Sequence, residues 1–161
     1  MKCIKYVFIN EENRSDINSF ISSHWLTTEM IIRGNMIDMT RVDGIAVYED
    51  TEIIALLTYV INGNICEITS LDSLREGRGI AIELIKRISS IAKENQCSKI
   101  IAITTNDNIN ALRFYQKRGF DMVRLYHNAL DISRELKPEI PFIGENDIPL
   151  RHEIEFEYDI I

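Results

Sequence analysis

Cysteine is scarce in this chain of 161 residues: three in all, at Cys3, Cys66 and Cys97, an odd number with no CxxC pair. That pattern argues against a disulfide framework and against a cysteine-based zinc site. Each cysteine lies in an apolar segment, so buried structural thiols are expected, with a nucleophilic cysteine as the alternative. Histidine is equally sparse. His24, His127 and His152 lack the HxxxH spacing of a chelating helical pair, and no metal is expected. Positive charge is in deficit: 18 Lys and Arg against 25 Asp and Glu leave a formal charge of −7. Nucleic-acid binding needs a basic stripe, and this balance argues against it, while it is compatible with a cationic substrate such as an amine. Long apolar runs are missing too. None approaches the roughly twenty residues that a membrane-spanning helix needs. The opening Met1-Lys2-Cys3-Ile4-Lys5 leads into a strand-like segment and not a signal-peptide core, which makes a cytoplasmic location the default.

What is present is ordinary for a globular protein: 45% apolar and 27% charged residues, and a length suited to a single domain over residues 1–161. Lys2 to Ile9 reads as a first strand. Asn13 or Ser15 can cap a helix carrying Ile17, Phe20 and Ile21 on one face. Trp25 to Arg41 has no clean period and is expected to be a short helix plus loop. Ile45–Tyr48 and Ile53–Ile61 form a hairpin, and Asn62-Gly63-Asn64 turns the chain into an antiparallel strand over Ile65–Leu71. A strongly amphipathic helix follows, with Ile80, Leu84, Ile85, Ile88 and Ile91 on one face. The apolar run Ile100–Ile103 reads as a buried strand, and the strand, helix, strand succession favours a parallel pair. A shorter helix over Ile109–Arg118, stopped by Gly119, leads to a strand at Phe120–Leu125 and one or two helical turns within Asn128–Lys137. Pro138 to Pro149 holds all three prolines and reads as loop. The alternation Glu153-Ile154-Glu155-Phe156-Glu157-Tyr158 predicts a half-buried strand, its glutamates a solvated face that discourages edge pairing. The fold class is α/β with a mixed sheet.

Gly77-Arg78-Gly79 lies between a strand and the N-terminus of the best helix in the chain. Glycines there let the backbone turn sharply, and the free amides of the first helical turn favour phosphate. Arg75 and Arg78 add cations. The loop is neither a GxxxxGK[ST] phosphate loop nor a GxGxxG dinucleotide fingerprint, because Ile82 stands where the third glycine would fall. It suggests a phosphate site of another kind, against the plain alternative of a strand-to-helix turn.

Gly77-Arg78-Gly79-Ile80-Ala81 resembles the pyrophosphate loop of GNAT acetyltransferases, with Gly79 and Ala81 on its last two motif positions. About thirty residues later, the run from Asn108 to Phe120 resembles the family's second cofactor motif: Asn108, Ala111, an apolar Phe114, Tyr115, then Gly119-Phe120. The resemblance extends over roughly residues 43 to 126. It implies a mixed, mostly antiparallel central sheet flanked by helices, with a parallel strand pair around the cofactor helix. It also implies acetyl-CoA as cofactor, CoA as product and an amine as acceptor. Leu71, Arg75, Glu76, Gly77, Arg78, Gly79, Ile80, Ala81, Asn108, Ala111 and Tyr115 would then touch the cofactor. The motif's opening Gln or Arg falls here on Glu76, which places a carboxylate near the expected phosphates.

By the same resemblance, Tyr115 stands at the general-acid position. From periodicity alone it reads as core. Glu67, a carboxylate between Cys66 and Ile68, stands where many members carry the base that deprotonates the amine; an exposed strand face would explain it equally. Asn108 and Asn110 cap the next helix or touch cofactor. His24, Trp25, His127 and the glutamates of the last strand are candidates for the acceptor side. The rival function is a non-catalytic module that binds acyl-CoA without turning it over. A nucleotide hydrolase lacks its lysine and its metal-binding carboxylate. The sheet edges and tail leave room for a homodimer.

Overall fold

The computed structural model describes residues 2–160. The chain runs β1 (Ile4–Phe8), α1 (Arg14–Trp25), β2 (Glu29–Ile32), β3 (Asn35–Asp38), β4 (Asp43–Glu49), β5 (Glu52–Asn62), β6 (Ile65–Ser73) and α2 (Ile80–Glu94). It continues through β7 (Lys99–Thr105), α3 (Ile109–Lys117), β8 (Asp121–Tyr126), α4 (Ala129–Leu136) and β9 (Glu153–Asp159). Seven strands form one sheet in the order β1-β4-β5-β6-β7-β9-β8, while β2 and β3 make a separate two-stranded hairpin. Every neighbouring pair is antiparallel except β6 and β7. That one parallel pair encloses α2, as the strand, helix, strand pattern predicts. Among the described residues no helix is long and apolar enough to cross a membrane.

Alternation along the strands sends side chains to two faces. On one face Ile45, Val47, Leu57, Cys66, Ile68, Ile100 and Phe156 pack against α2, which buries Ile80, Leu84, Ile85, Ile88, Ile91 and Ala92. Each fully buried Leu or Ile there contributes about 1.5–3 kcal/mol. On the other face Ala46 and Leu56 meet Ile17, Phe20 and Ile21 of α1. Helix α3 ends at Gly119, whose φ of 91° supports the left-handed C-terminal turn. The turn brings Phe120 back onto the Tyr115 ring, 5.2 Å between centroids.

Two features open the sheet where its chemistry would lie. The β6–β7 ladder joins only Ile65–Ile68 to Lys99–Ala102, although β6 runs on to Ser73 and β7 to Thr105. A bulge also lies where Thr58 faces Ser70 and Tyr59 faces Ile68, leaving Thr69 unpaired. It keeps β6 on β5 while β7 departs. The buried hydroxyls of Thr58, Thr69 and Ser70 satisfy one another at the bulge. The result is that β6 and β7 are unpaired with each other beyond Ile68 and Ala102.

Three expectations need correction. Trp25 to Arg41 is not a helix plus loop: after α1 it is the hairpin β2–β3, turned by Arg33 and Gly34 at φ of 51° and 74°. Only the pair of positive φ values makes this two-residue turn, and Arg is a poor advertisement for one. The glutamates of β9 do not form a solvated face guarding an edge. β9 lies between β7 and β8, and Glu153 and Glu155 are only 3% and 7% exposed. Cys3 is exposed, unlike Cys66 and Cys97, because it precedes the first strand of the sheet. Asn13 does stand at the N-cap of α1, but its side chain bonds the preceding loop through Asn10 and Phe8 instead of the helix amides.

Candidate active site

The glycine loop meets α2 in a geometry suited to an anion. Gly77 and Gly79 both have φ of 73°, the left-handed region where a side chain is strained. A Cβ at either would meet nothing within 4 Å, so the space above the loop is open. The first bond of the helix is donated by Glu83 N–H to Gly79 O, and no side chain caps it. The amides of Ile80, Ala81 and Ile82 therefore have no partner within the helix. Arg75, Glu76, Gly77, Gly79, Ile80 and Ala81 border one hollow of about 340 Å³. Ser73, Ala81 and Phe114 continue from it into a second, of about 180 Å³, bordered also by Leu71, Asn108, Ala111 and Tyr115. The two form one groove between the end of β6 and the start of α2 on one side and α3 on the other.

Arg78 belongs to neither hollow. Its guanidinium donates to Glu49 Oε1 at 2.7 Å, and Arg75 approaches the other Glu49 oxygen at 3.6 Å and Glu52 at 3.5 Å. The loop arginines thus neutralise a buried carboxylate at the end of β4 and do not face Glu76, which is exposed. Their hydrogen bonding, led by that from Arg78, holds the Glu49 carboxyl below its ordinary range. A cation that the sequence does not single out joins Arg75 at the larger hollow: Arg118, at the C-cap of α3, borders it, and its Nε is buried without a partner. Its only sequence signal is its place just before Gly119.

Tyr115 is both core and site. Its ring contacts Phe114, Phe120 and Phe156, and it is 6% exposed, yet it borders the smaller hollow. Burial, reinforced by the Asp72 carboxylate, pushes its phenol pKa up, so the proton stays on oxygen at neutral pH. Asn108 accepts from Ala111 N–H at 3.1 Å and caps α3, and it borders the same hollow together with Asn110. Both readings of Asn108 hold at once.

Glu67 lies outside both hollows, on the opposite face. Its Oε2 accepts from Arg33 Nη2 at 3.0 Å, and its Oε1 is buried with no partner. Arg33 also donates to Glu155 from Nη1 at 3.2 Å, and its backbone N–H reaches Glu153 at 3.3 Å. Burial pushes the Glu153 carboxyl up. Nearby, Trp25 Nε1 donates to Asp72 at 3.0 Å, and burial raises the Asp72 carboxyl too. Asp72 therefore bonds Trp25 of α1 while its charge adds to the raised Tyr115 pKa. His24 stacks on Phe20 and bonds its carbonyl, and His127 stacks on His152. Burial beside Cys97 pushes the Cys66 thiol up to about 12, which leaves it protonated and inert at neutral pH.

The model of the family described as acetyltransferase (GNAT) matches residues 10–120. The chain belongs to the GNAT acetyltransferase family. A relative in Bacillus subtilis strain 168, the uncharacterised protein YdhI, is 45% identical over 148 residues, covering 91% of this chain and 92% of its own. Among solved structures, a Bacillus subtilis acetyltransferase in complex with CoA superposes over 100% of both chains with a TM-score of 0.67 at 18% identity. A GNAT acetyltransferase from Elizabethkingia anophelis with acetyl-CoA bound covers 97% of each chain, with a TM-score of 0.67 at 19% identity.

Proposed function

We propose that this chain transfers the acetyl group of acetyl-CoA directly to a primary amine of a small molecule or a protein. The observation that carries this reading is the single groove in which the glycine loop, the free amides of α2 and Tyr115 meet. Acetyl-CoA would supply an activated acyl group and a thiolate leaving group. The amides of Ile80, Ala81 and Ile82 and the Arg118 guanidinium would hold its phosphates, with Leu71, Asn108 and Ala111 along the chain that leads to Tyr115. The open space over Gly77 and Gly79 and the orphaned Arg118 Nε fit such a group. The relatives that carry CoA or acetyl-CoA support the same choice.

The acceptor would enter from the face of α1 and the β2–β3 hairpin, so that the two substrates meet at the gap. Glu67 Oε1 accepts the proton that the amine loses as its N–C bond forms. Tyr115 Oη gives the proton that the sulfur takes up as the C–S bond breaks. Holding both reactants in one gap supplies much of the acceleration. Titration calorimetry with acetyl-CoA, then release of free thiol in a screen of primary amines, tests the reading. Tyr115→Phe is expected to bind acetyl-CoA within about threefold of the parent chain and to lose about 100-fold or more in kcat. Normal binding with no turnover on any amine would favour the acyl-CoA-sensing alternative, and no binding would refute both.

A further inference from the structure

Arg33 makes an unusual use of a hairpin turn. At φ of 51° it pays strain of about 1–2 kcal/mol that Asn or Gly would largely avoid. Both of its ends are then spent on carboxylates of the sheet. The backbone N–H approaches both oxygens of Glu153 at 3.3 Å, and the guanidinium forks to Glu155 and Glu67. Glu67 is on β6 and Glu155 on β9, with β7 between them, so the fork bridges across an intervening strand. A planar guanidinium with separated donors can do this, whereas a lysine offers one point charge. Tyr126 Oη donates to the same Glu155 oxygen at 2.9 Å and fixes the far anchor. At the near end only Oε2 of Glu67 is taken, and Oε1 stays unpartnered.

We propose that Arg33 is a positioning residue for the acetyl transfer, clamping Oε2 of Glu67 so that Oε1 is the atom that takes the amine proton. This rests on Glu67 being the base. The fork fixes the Glu67 rotamer by holding Oε2, which leaves Oε1 as the free oxygen. Around Glu67 the other charged and titratable groups are Glu153 and Glu155 on β9, Tyr126 and Arg124 on β8, the Lys99–Glu157 pair, and Asp72 farther along β6.

The test compares the parent chain, Arg33→Gln, Arg33→Lys and Glu67→Gln. A crystal structure of Arg33→Gln reads the Glu67 rotamer without any acceptor and is expected to show the carboxylate turned from its position in the parent chain. With spermidine and a short lysine-containing peptide as probe amines, Arg33→Gln and Arg33→Lys should each lose about tenfold or more in kcat, with the KM for acetyl-CoA unchanged. A fall in melting temperature with the Glu67 rotamer and kcat unmoved would make Arg33 a hairpin anchor and overturn the inference. Turnover by Glu67→Gln at the parent rate would overturn the base assignment itself.

Discussion

Arg78 Nη1 donates to Glu49 Oε1 across 2.7 Å, which turns the central side chain of the glycine loop away from the groove and toward the end of β4. Glu49 is 4% exposed and collects Arg75 and Lys2 as well. The pair ties the loop to the end of β4, while the amides of Ile80, Ala81 and Ile82 keep no partner within α2.

Arg78→Gln should therefore change acetyl-CoA affinity by less than about threefold, whereas Arg118→Gln should weaken it about tenfold. Titration calorimetry of the two variants checks the contrast. A tenfold loss in Arg78→Gln would mean that its guanidinium leaves Glu49 when the cofactor binds. Glu49→Gln should lower the melting temperature near neutral pH. Its carboxyl is held below the ordinary range in the fold, so the pair contributes fully above that range and is lost as pH falls through it. Melting curves of the parent and the variant should accordingly converge in acid.

Gly79→Ala separates backbone strain from contact. No neighbour opposes the new Cβ, so the folded chain should lose only the left-handed penalty, about 1–2 kcal/mol. The methyl group would, however, stand in the space where a phosphate approaches the N-terminus of α2. Acetyl-CoA should bind about tenfold or more weakly. Calorimetry reads the affinity and denaturant unfolding reads the stability. Unchanged affinity would remove the loop from the cofactor site.

Asp72→Asn is expected to stabilise the protein near neutral pH. Burial raises the Asp72 carboxyl, so its ionised form is favoured less in the fold than in the unfolded chain. Stability from this group is highest in acid and falls as pH rises from the unfolded value through the raised one. The amide oxygen of Asn can still accept from Trp25 Nε1. The gain in melting temperature should be clear at about pH 7 and shrink toward about pH 4, where the unfolded aspartate itself protonates. Equal gains at both values would show that the effect is not electrostatic.

Local patterns were enough for much of this protein. The 3.6-residue period of α2, the strict alternation of β9 and the Asn62-Gly63 turn each rest on interactions between near neighbours in the chain, and the structure contains all three. The linked motifs around Gly79 and Tyr115 identify the family because the residues at one cofactor groove come from two short segments. The carboxylates gathered around Arg33 were not legible in the same way. Arg33, Glu67 and the β9 pair Glu153 and Glu155 come from three places in the chain, 120 residues apart between Arg33 and Glu153, and none has a periodic signature that points to the others. Whether the glutamates of β9 face water or an arginine depends on β9 inserting between β7 and β8, a long-range pairing. Sequence alone determined the elements outside the β2–β3 hairpin, the glycine loop and the family. Tertiary structure alone decided which charges meet, because burial and strand order, and not spacing along the chain, set the cost of leaving a carboxylate without a partner.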